Sequence, residues 1–414
     1  MLNKKIVAWA LYDLANTAFT SPFVTIFWPL LVTSILGGNE FHMGITVAIS
    51  ILIFSLVVPV VGIISDKTNI RKPFIVIPTL IMVVIITFLP WTNLFWNLIL
   101  AGIATILYNV SLTIYNTLLP TLASDEEMGK ISGIGMATGF TGTLLSIIIA
   151  YLTLKYFSTD TIETITGINA VFPVVAIFFL VFSLPLLFII KDEEKKQKVR
   201  ISFTGIKKLF YDILFTLRNM LKIKGILHFL VFYALFSNAL AAIDIFFFLF
   251  SQKEIGMTLV GFMYMFMGQS FGACIGAVLF GKLADRYGAK KMLSISIILW
   301  VVVVMTFVLS KNLTIFWIAG LIGSIAFGGS FATSRTLFVF LAPENKIGEF
   351  FGYSQIVSKL AALLGPLLGG WLIVAYSYNI SLLMVLFFLV LSFFYIIKTP
   401  DLRASSRDKS SVHI

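Results

Sequence analysis

Apolar residues along the chain form long runs that short polar segments separate. A helix needs about 20 apolar residues to cross roughly 30 Å of hydrocarbon, and twelve runs meet this requirement. Runs such as VVPVVGII and WVVVVMTFVL do not alternate apolar and polar residues, so they predict helices rather than strands of a membrane barrel. The predicted spans are 6–36, 44–65, 73–91, 95–118, 131–155, 168–190, 225–251, 258–281, 292–310, 313–341, 349–376 and 379–397.

Composition and charge placement support this all-α membrane protein. The chain is 59% hydrophobic and 12% charged, and no short run with a cleavage site comes before the first span, so we expect no removed signal peptide. The net charge of +11 does not indicate nucleic-acid binding, because most Lys and Arg residues lie in alternate loops and the outer loops hold only Lys155, Lys253 and Lys311. This positive-inside pattern predicts a plasma-membrane protein with both termini in the cytoplasm.

One long polar segment divides the chain into two sets of six spans. The predicted organisation is a six-helix bundle at 1–190, a cytoplasmic linker at 191–224, a second bundle at 225–398 and a cytoplasmic tail at 399–414. Within the linker, Phe203, Ile206, Phe210, Ile213 and Leu217 recur at three- and four-residue steps. This spacing predicts an amphipathic helix on the membrane surface.

The two halves carry related loop sequences. GIISDKTNIRK begins at Gly62 after the second span, and GKLADRYGAKK begins 219 residues later at Gly281, after the eighth. The same offset relates Asp125 to Glu344 and Gly129 to Gly348 in the loops before spans five and eleven. A single offset for separate loops indicates duplication of a six-helix unit, an architecture typical of alternating-access transporters.

These loops resemble the cytoplasmic signature of the major facilitator superfamily. WALYDLANTAF, YNTLLPTLASDEEMGKISGIGMATGF and SRTLFVFLAPENKIGEFFG are more narrowly similar to the autophagy-related vacuolar amino-acid effluxers and their prokaryotic relatives. The resemblance implies twelve helices in two pseudo-symmetric bundles and transport of a small solute. Asn69 and Ile70 depart from the usual glycine and arginine of the signature, and the long loops of the fungal members are missing, so a vacuolar role does not carry over.

The first predicted helix has one polar face. Asp13, Asn16, Thr17 and Thr20 are spaced at i, i+3, i+4 and i+7. A charged side chain within a span costs about 2.5 to 3.5 kcal/mol and usually faces a water-filled cavity or a partner. Asp13 is therefore a candidate for substrate or proton binding, and a structural role near the cytoplasmic mouth is the alternative.

Other polar residues within spans complete the candidate substrate or coupling set. Asp244 is a candidate for reversible protonation or for a gate contact, Arg335 is close enough to a helix end to extend to the interface, and Lys359 lies near the bilayer centre and needs a counter-ion. The full set is Asp13, Asn16, Thr20, Asn109, Asn116, Asp244, Arg335, Gln355 and Lys359.

The two signature loops supply a candidate gate. Asp66 and Asp285 each end a helix next to basic residues, so interhelical charge pairs could hold the inner side shut and break when it opens. A solvated loop that serves only topology is the alternative. The candidate gating residues are Asp66, Lys67, Arg71, Asp285, Arg286 and Lys290. Glycines at four-residue steps, such as Gly135 and Gly139, predict close helix approach.

These features favour a secondary transporter for a small polar or zwitterionic solute, with an amino acid as a candidate. An efflux pump for hydrophobic or cationic compounds is the alternative, because aromatic residues make up 15% of the chain. A membrane-embedded enzyme is a distant alternative, since the three histidines, His42, His228 and His413, are dispersed. We expect no cofactor, no metal and no GxxxxGK nucleotide loop, protons as the candidate coupling ion, and a monomer in the lipid bilayer.

Overall fold

The structure, a computed structural model, describes residues 3–68, 70–122, 128–158, 164–190, 192, 218, 225–341 and 357–400. These residues contain twelve helices that are long and apolar enough to cross a membrane, which confirms the predicted number and the all-α class. In chain order they are α1 Lys4–Ile35, α2 Glu40–Thr68, α3 Pro73–Phe88, α4 Leu94–Asn116, α5 Met128–Phe157, α6 Ile165–Ile189, α7 Ile226–Lys253, α8 Leu259–Tyr287, α9 Ala289–Leu309, α10 Leu313–Leu341, α11 Val357–Ala375 and α12 Tyr378–Lys398.

Local sequence signals explain most helix starts. Asn93, Thr164 and Ser377 are N-caps whose side chains accept a hydrogen bond from the backbone N–H of the third residue beyond. Pro73 begins α3, at a position where the missing N–H costs nothing. The main differences from the predicted spans lie at charged ends: α8 continues to Tyr287, past the predicted end at 281, because a helix can extend beyond the apolar layer.

The first helix is not a uniform α-helix. It is α-helical over Lys4–Ala18 and Trp28–Leu30 and π-helical over Phe19–Phe27 and Leu31–Ile35. Pro22 lies within the first π-helical segment, where it cannot donate a backbone hydrogen bond. The polar residues from Asp13 to Thr17 precede this change of helix type, and Thr20 lies just inside it.

Residue contacts divide the chain into two compact units. The N-terminal unit comprises Met1–Ile206, Asp244–Phe250 and Thr258–Met263, and the C-terminal unit comprises Lys207–Ile243, Ser251–Met257 and Tyr264–Ile414. The predicted amphipathic helix at 203–217 lies outside the described residues, as does the tail from 401. The domain limits at 190 and 225 therefore stay predictions.

In the N-terminal unit, α1 packs against α5 and α6, and α4 packs against α2 and α3. One apolar cluster of this unit includes Trp9, Tyr12, Ile75 and Tyr115, from α1, α3 and α4. The close approach of α5 to α1 depends on glycine, because a Cβ atom at Gly142 would be placed against the carbonyl oxygen of Leu14. The first helix is therefore enclosed by its neighbours rather than placed at the edge of the unit.

In the C-terminal unit, glycines join α8 to α10. A Cβ at Gly276 would contact the carbonyl oxygen of Ile325, and one at Gly328 would contact that of Ala273. On α11, the N–H of Gly365 bonds to the side chain of Asn238 on α7 at 2.8 Å, immediately before Pro366. Lys311, which follows α9, pairs with Glu254, which follows α7, at 3.0 Å. This pair lies at the other end of α8 from the second signature loop.

Candidate functional site

The first and fifth helices share a polar seam within the N-terminal unit. The hydroxyl of Thr17 donates to the carbonyl oxygen of Gly139 at 2.6 Å, and the hydroxyl of Ser21 bonds to that of Thr143 at 3.1 Å. Both pairs are 122 residues apart, so α1 and α5 run in the same direction in a fixed register. Asp13 continues the seam one turn earlier, opposite Gly135.

The carboxylate of Asp13 lies against two glycines of α5, Gly135 and Gly139. An added Cβ at Gly135 would be 3.2 Å from its Oδ2 atom, and one at Gly139 would be 3.7 Å away. Asp13 is half-buried, and no described residue of the N-terminal unit gives its carboxylate a hydrogen bond or an ion pair. The nearby ionisable groups that interact with it electrostatically are Tyr108 and Tyr115 of α4. A carboxylate in this environment is available to a proton or to a ligand.

Asn16 lies one helical turn beyond Asp13 and is 2% exposed. Its Nδ2 atom has no hydrogen-bond acceptor among the described residues. A buried donor without an acceptor costs about 1 to 3 kcal/mol, so such groups are rare unless they serve another purpose.

Two other buried asparagines show the usual arrangement. The side chain of Asn97 accepts from the indole N–H of Trp28 at 3.0 Å and donates to the carbonyl oxygen of Leu89 at 3.0 Å. The side chain of Asn238 accepts from Gly365 and donates to the carbonyl oxygen of Ala234 at 3.0 Å. Asn97 and Asn238 have structural roles that Asn16 lacks.

A cluster of aromatic residues fixes the position of α1. The Tyr12 hydroxyl bonds to Thr79 of α3 at 2.8 Å and to Ser111 of α4 at 2.5 Å. Tyr115 of α4 stacks on Trp9 with ring centroids 5.0 Å apart and donates its hydroxyl hydrogen to the Trp9 carbonyl oxygen at 2.9 Å. Trp9 and Tyr12 precede Asp13 and Asn16 by one helical turn each, so these contacts fix the part of α1 that carries the two polar residues. Sequence reasoning missed this cluster, although a tyrosine inside an apolar run is a signal, because a buried hydroxyl needs a partner.

The predicted polar face of α1 is shared between two neighbouring helices. Thr17 bonds to α5, whereas Thr20 forms a side-chain hydrogen bond with Tyr108 of α4. On α4, Asn109 is buried and donates to the carbonyl oxygen of Thr105 at 2.8 Å, while Asn116 is exposed at the helix end. The structure therefore brings Thr20 and Tyr108 together and places Asn116 at the end of the helix.

The remaining substrate candidates belong to later helices. Asp244 and Arg335 are exposed and Lys359 is half-buried, and each of the three makes at least one polar or electrostatic interaction. Gln355 lies outside the described residues. Substrate or coupling roles for these residues stay predictions.

The first signature loop is attached to its surroundings by Arg71. Its guanidinium donates to the carbonyl oxygen of Thr117, after α4, at 3.1 Å. The backbone N–H groups of Arg71 and Lys72 donate to the carboxylate of Asp192, after α6, at 2.9 and 3.0 Å. The side chains of Asp66 and Lys67 lie outside the description, so their predicted pairing is not tested.

The second signature loop has exposed charged side chains. Asp285 and Arg286 are exposed, and the Arg286 guanidinium lies 5.4 Å from the ring centroid of Tyr287. The ammonium of Lys290 donates to the carbonyl oxygen of Ile397, in α12, at 2.7 Å. Among the described residues of the C-terminal unit, Asp285 makes no ion pair, and its gating role stays a prediction. No group of three metal-ligating side chains was found in the described part of the chain.

Solved transporters share this fold. The nucleoside transporter NupG superposes with a TM-score of 0.72 over 96% of this chain and 99% of that chain, at 17% sequence identity. The D-xylose-proton symporter superposes with a TM-score of 0.69 over 96% of this chain and 97% of that chain, at 14% identity. The twelve helices thus have the same fold as these solved proteins.

Sequence comparison gives the narrower assignment: the chain belongs to the family described as vacuole effluxer Atg22 like, whose model matches residues 41–409. The MFS-type transporter YxiO of Bacillus subtilis (strain 168) is 23% identical over 374 residues, 87% of this chain and 86% of that protein. Autophagy-related protein 22 of Kluyveromyces lactis is 25% identical over 323 residues, 71% of this chain and 64% of that protein. Membership of this effluxer family, together with the MFS-type relative, identifies the molecule as a multi-pass membrane transporter of the major facilitator type rather than an enzyme.

Proposed function

We propose that the protein is a secondary active transporter of a small polar or zwitterionic solute, with an amino acid as the first candidate. The observation that carries this proposal is the carboxylate of Asp13, which is half-buried within a membrane span and has no partner among the described residues of its unit. An unpaired charge at such a position is costly, and a polar solute or a proton would compensate for it. Alternating access by rocking of the two bundles is the mechanism we propose.

The alternative, a pump for hydrophobic compounds, would use aromatic side chains as the binding surface. Around α1 these side chains are already engaged with one another: Trp9 is 4% exposed, Tyr12 is 0% exposed and Phe19 is 1% exposed. One turn beyond Asp13, the Nδ2 atom of Asn16 is a polar group without an acceptor among the described residues. This arrangement favours a polar solute over a hydrophobic one.

The coupling ion, orientation and assembly are parts of the same proposal. A proton is the candidate coupling ion because Asp13 can accept one, and a structural neighbour is named a D-xylose-proton symporter. The placement of basic residues supports cytoplasmic termini in a plasma membrane, and a relative from Bacillus subtilis agrees with that membrane. A monomer contains both repeats that alternating access requires.

Reconstituted protein tests the substrate class. In proteoliposomes loaded with unlabelled amino acids, we expect exchange of at least one labelled amino acid, and accumulation when a pH gradient is imposed. Protein-free liposomes are the control. Exchange of a hydrophobic cation such as tetraphenylphosphonium, with no exchange of any amino acid, would favour the pump and contradict the proposal.

Neutralising the signature aspartates tests the proposed gate. Asp66→Asn and Asp285→Asn should each lower the initial transport rate by about tenfold while membrane abundance stays unchanged, because the lost interaction is made in only one of the two states. Transport is measured by exchange and abundance by immunoblot. Glu254→Gln removes a carboxylate that pairs with Lys311 at the other end of α8 from the second signature loop, and it should keep the wild-type rate. Wild-type rates in both aspartate variants would remove the gate assignment.

A further inference from the structure

We propose that Asp13 and Asn16 together bind the backbone of a free α-amino acid. In this arrangement the Asp13 carboxylate accepts from the ammonium group of the ligand, and the Nδ2 atom of Asn16 donates to its carboxylate. The inference rests on the proposed function, and it adds the group of the solute that each residue recognises.

The chemistry of the two side chains is complementary to a zwitterion. Asp13 supplies an acceptor without a partner in its unit, and Asn16 supplies a donor without an acceptor among the described residues. Residues at i and i+3 are neighbours on a helix, and the two charged groups of an α-amino acid are attached to the same carbon. Two short side chains one turn apart can therefore contact both groups of one ligand.

The surroundings of the pair restrict the direction from which a ligand can approach. The Oδ2 atom of Asp13 is packed against α5, where an added Cβ at Gly135 would be 3.2 Å away, so a ligand would reach the carboxylate from another side. Thr20 and Tyr108 are hydrogen-bonded to each other at the next turn. Because α4 and α5 occupy these two sides, the side chain of a bound amino acid would have to extend away from both helices.

Buried asparagine alone does not imply a ligand, and the comparison within this chain shows why Asn16 differs. Asn97, at 0% exposure, has partners for both ends of its amide. Removing a satisfied amide leaves its partners unpaired, whereas removing an unsatisfied one leaves nothing behind. Asn16→Ala should therefore keep or raise the thermal midpoint, and Asn97→Ala should lower it.

The experiment measures binding by ligand-induced thermal stabilisation of the purified full-length protein. The probes are L-leucine, L-serine and L-lysine, each with the amine that lacks its carboxylate (isoamylamine, ethanolamine, cadaverine) and the acid that lacks its α-amine (4-methylpentanoate, 3-hydroxypropanoate, 6-aminohexanoate). For at least one amino acid, we expect both analogues to bind about tenfold or more weakly than the amino acid itself.

The variants assign the two groups separately. Asp13→Asn should weaken the amino acid and the amine by about tenfold or more and leave the acid unchanged. Asn16→Ala should weaken the amino acid and the acid and leave the amine unchanged. Asn97→Ala should bind the amino acid, the amine and the acid in the wild-type order of affinity, although its thermal midpoint is lower. If Asp13→Asn does not fold, the probe affinities of the wild-type protein and of Asn16→Ala test the proposal.

The inference is overturned if no amino acid stabilises the wild-type protein at millimolar concentration, if an analogue binds as tightly as its amino acid, or if the two variants change all probes alike. The outcome is separable from that of the proposed function. Binding with the expected pattern but no exchange in proteoliposomes would refute amino-acid transport and retain this site. Exchange that both variants leave at wild-type affinity would retain the function and refute the site.

Discussion

Replacement of Gly142 by alanine is expected to lower the free energy of unfolding by about 3 kcal/mol, because it forces α1 and α5 apart. The added Cβ would collide with the backbone carbonyl of Leu14 and would lie 2.6 Å from the hydroxyl oxygen of Thr17. Neither group can yield easily, since the opposite face of α1 is held by the hydrogen bonds of Tyr12. The thermal midpoint of the protein in detergent measures the effect.

Gly62→Ala is the matched control for this prediction. Gly62 is also inside a helix, but outside its own stretch of helix no atom of the described residues lies within 4 Å of the position of an added Cβ. Alanine has a higher helix propensity than glycine by about 1 kcal/mol, so the midpoint of Gly62→Ala should stay the same or rise. A wild-type midpoint for Gly142→Ala would show that the two helices are not packed as closely as the structure indicates.

Replacement of Asp13 by asparagine is expected to abolish accumulation driven by a pH gradient. Asparagine has nearly the same size and keeps the contacts of the α1–α5 seam, but it cannot exchange a proton. The variant should stay folded and, at saturating solute, still exchange labelled for unlabelled solute, so that only the concentration difference is lost. Accumulation in proteoliposomes, with and without the gradient, measures this directly.

The control for this second prediction is Glu254→Gln, which removes a carboxylate paired with Lys311 in the C-terminal unit. It should accumulate solute as the wild-type protein does. If Asp13→Asn has both wild-type stability and wild-type accumulation, then the aspartate of WALYDLANTAF carries neither the proton nor the substrate, and its role is structural.

The order and number of the spans could be predicted because hydrophobic length alone defines them. The ends were predicted less well where charged residues continue a helix, as at Arg286 and Tyr287 of α8. Such residues lower the hydropathy of a window without changing the backbone. Helix periodicity also placed Asp13 and Asn16 on one face, and their roles in substrate binding or coupling stay predictions.

The partners of that face could not be predicted from the sequence. Periodicity shows that Thr17 and Thr20 lie near each other, but it does not show that one contacts α5 and the other α4. The hydroxyl of Tyr12 bonds to Thr79 and Ser111, which are 67 and 99 positions further along the chain. No local sequence pattern predicts contacts at such separations. Pro22 indicates from the sequence that α1 is irregular, but it does not specify a π-helical segment.

The π-helical segment Phe19–Phe27 has a consequence for comparing this chain with its relatives. A π-helical turn holds about one residue more than an α-helical turn, so residues after it are rotated relative to a wheel drawn from Asp13. A relative that has one residue fewer for each such turn would present the same faces on both sides of the segment. Such a deletion would preserve the orientation of the side chains, although in an alignment it would resemble a shortened membrane helix.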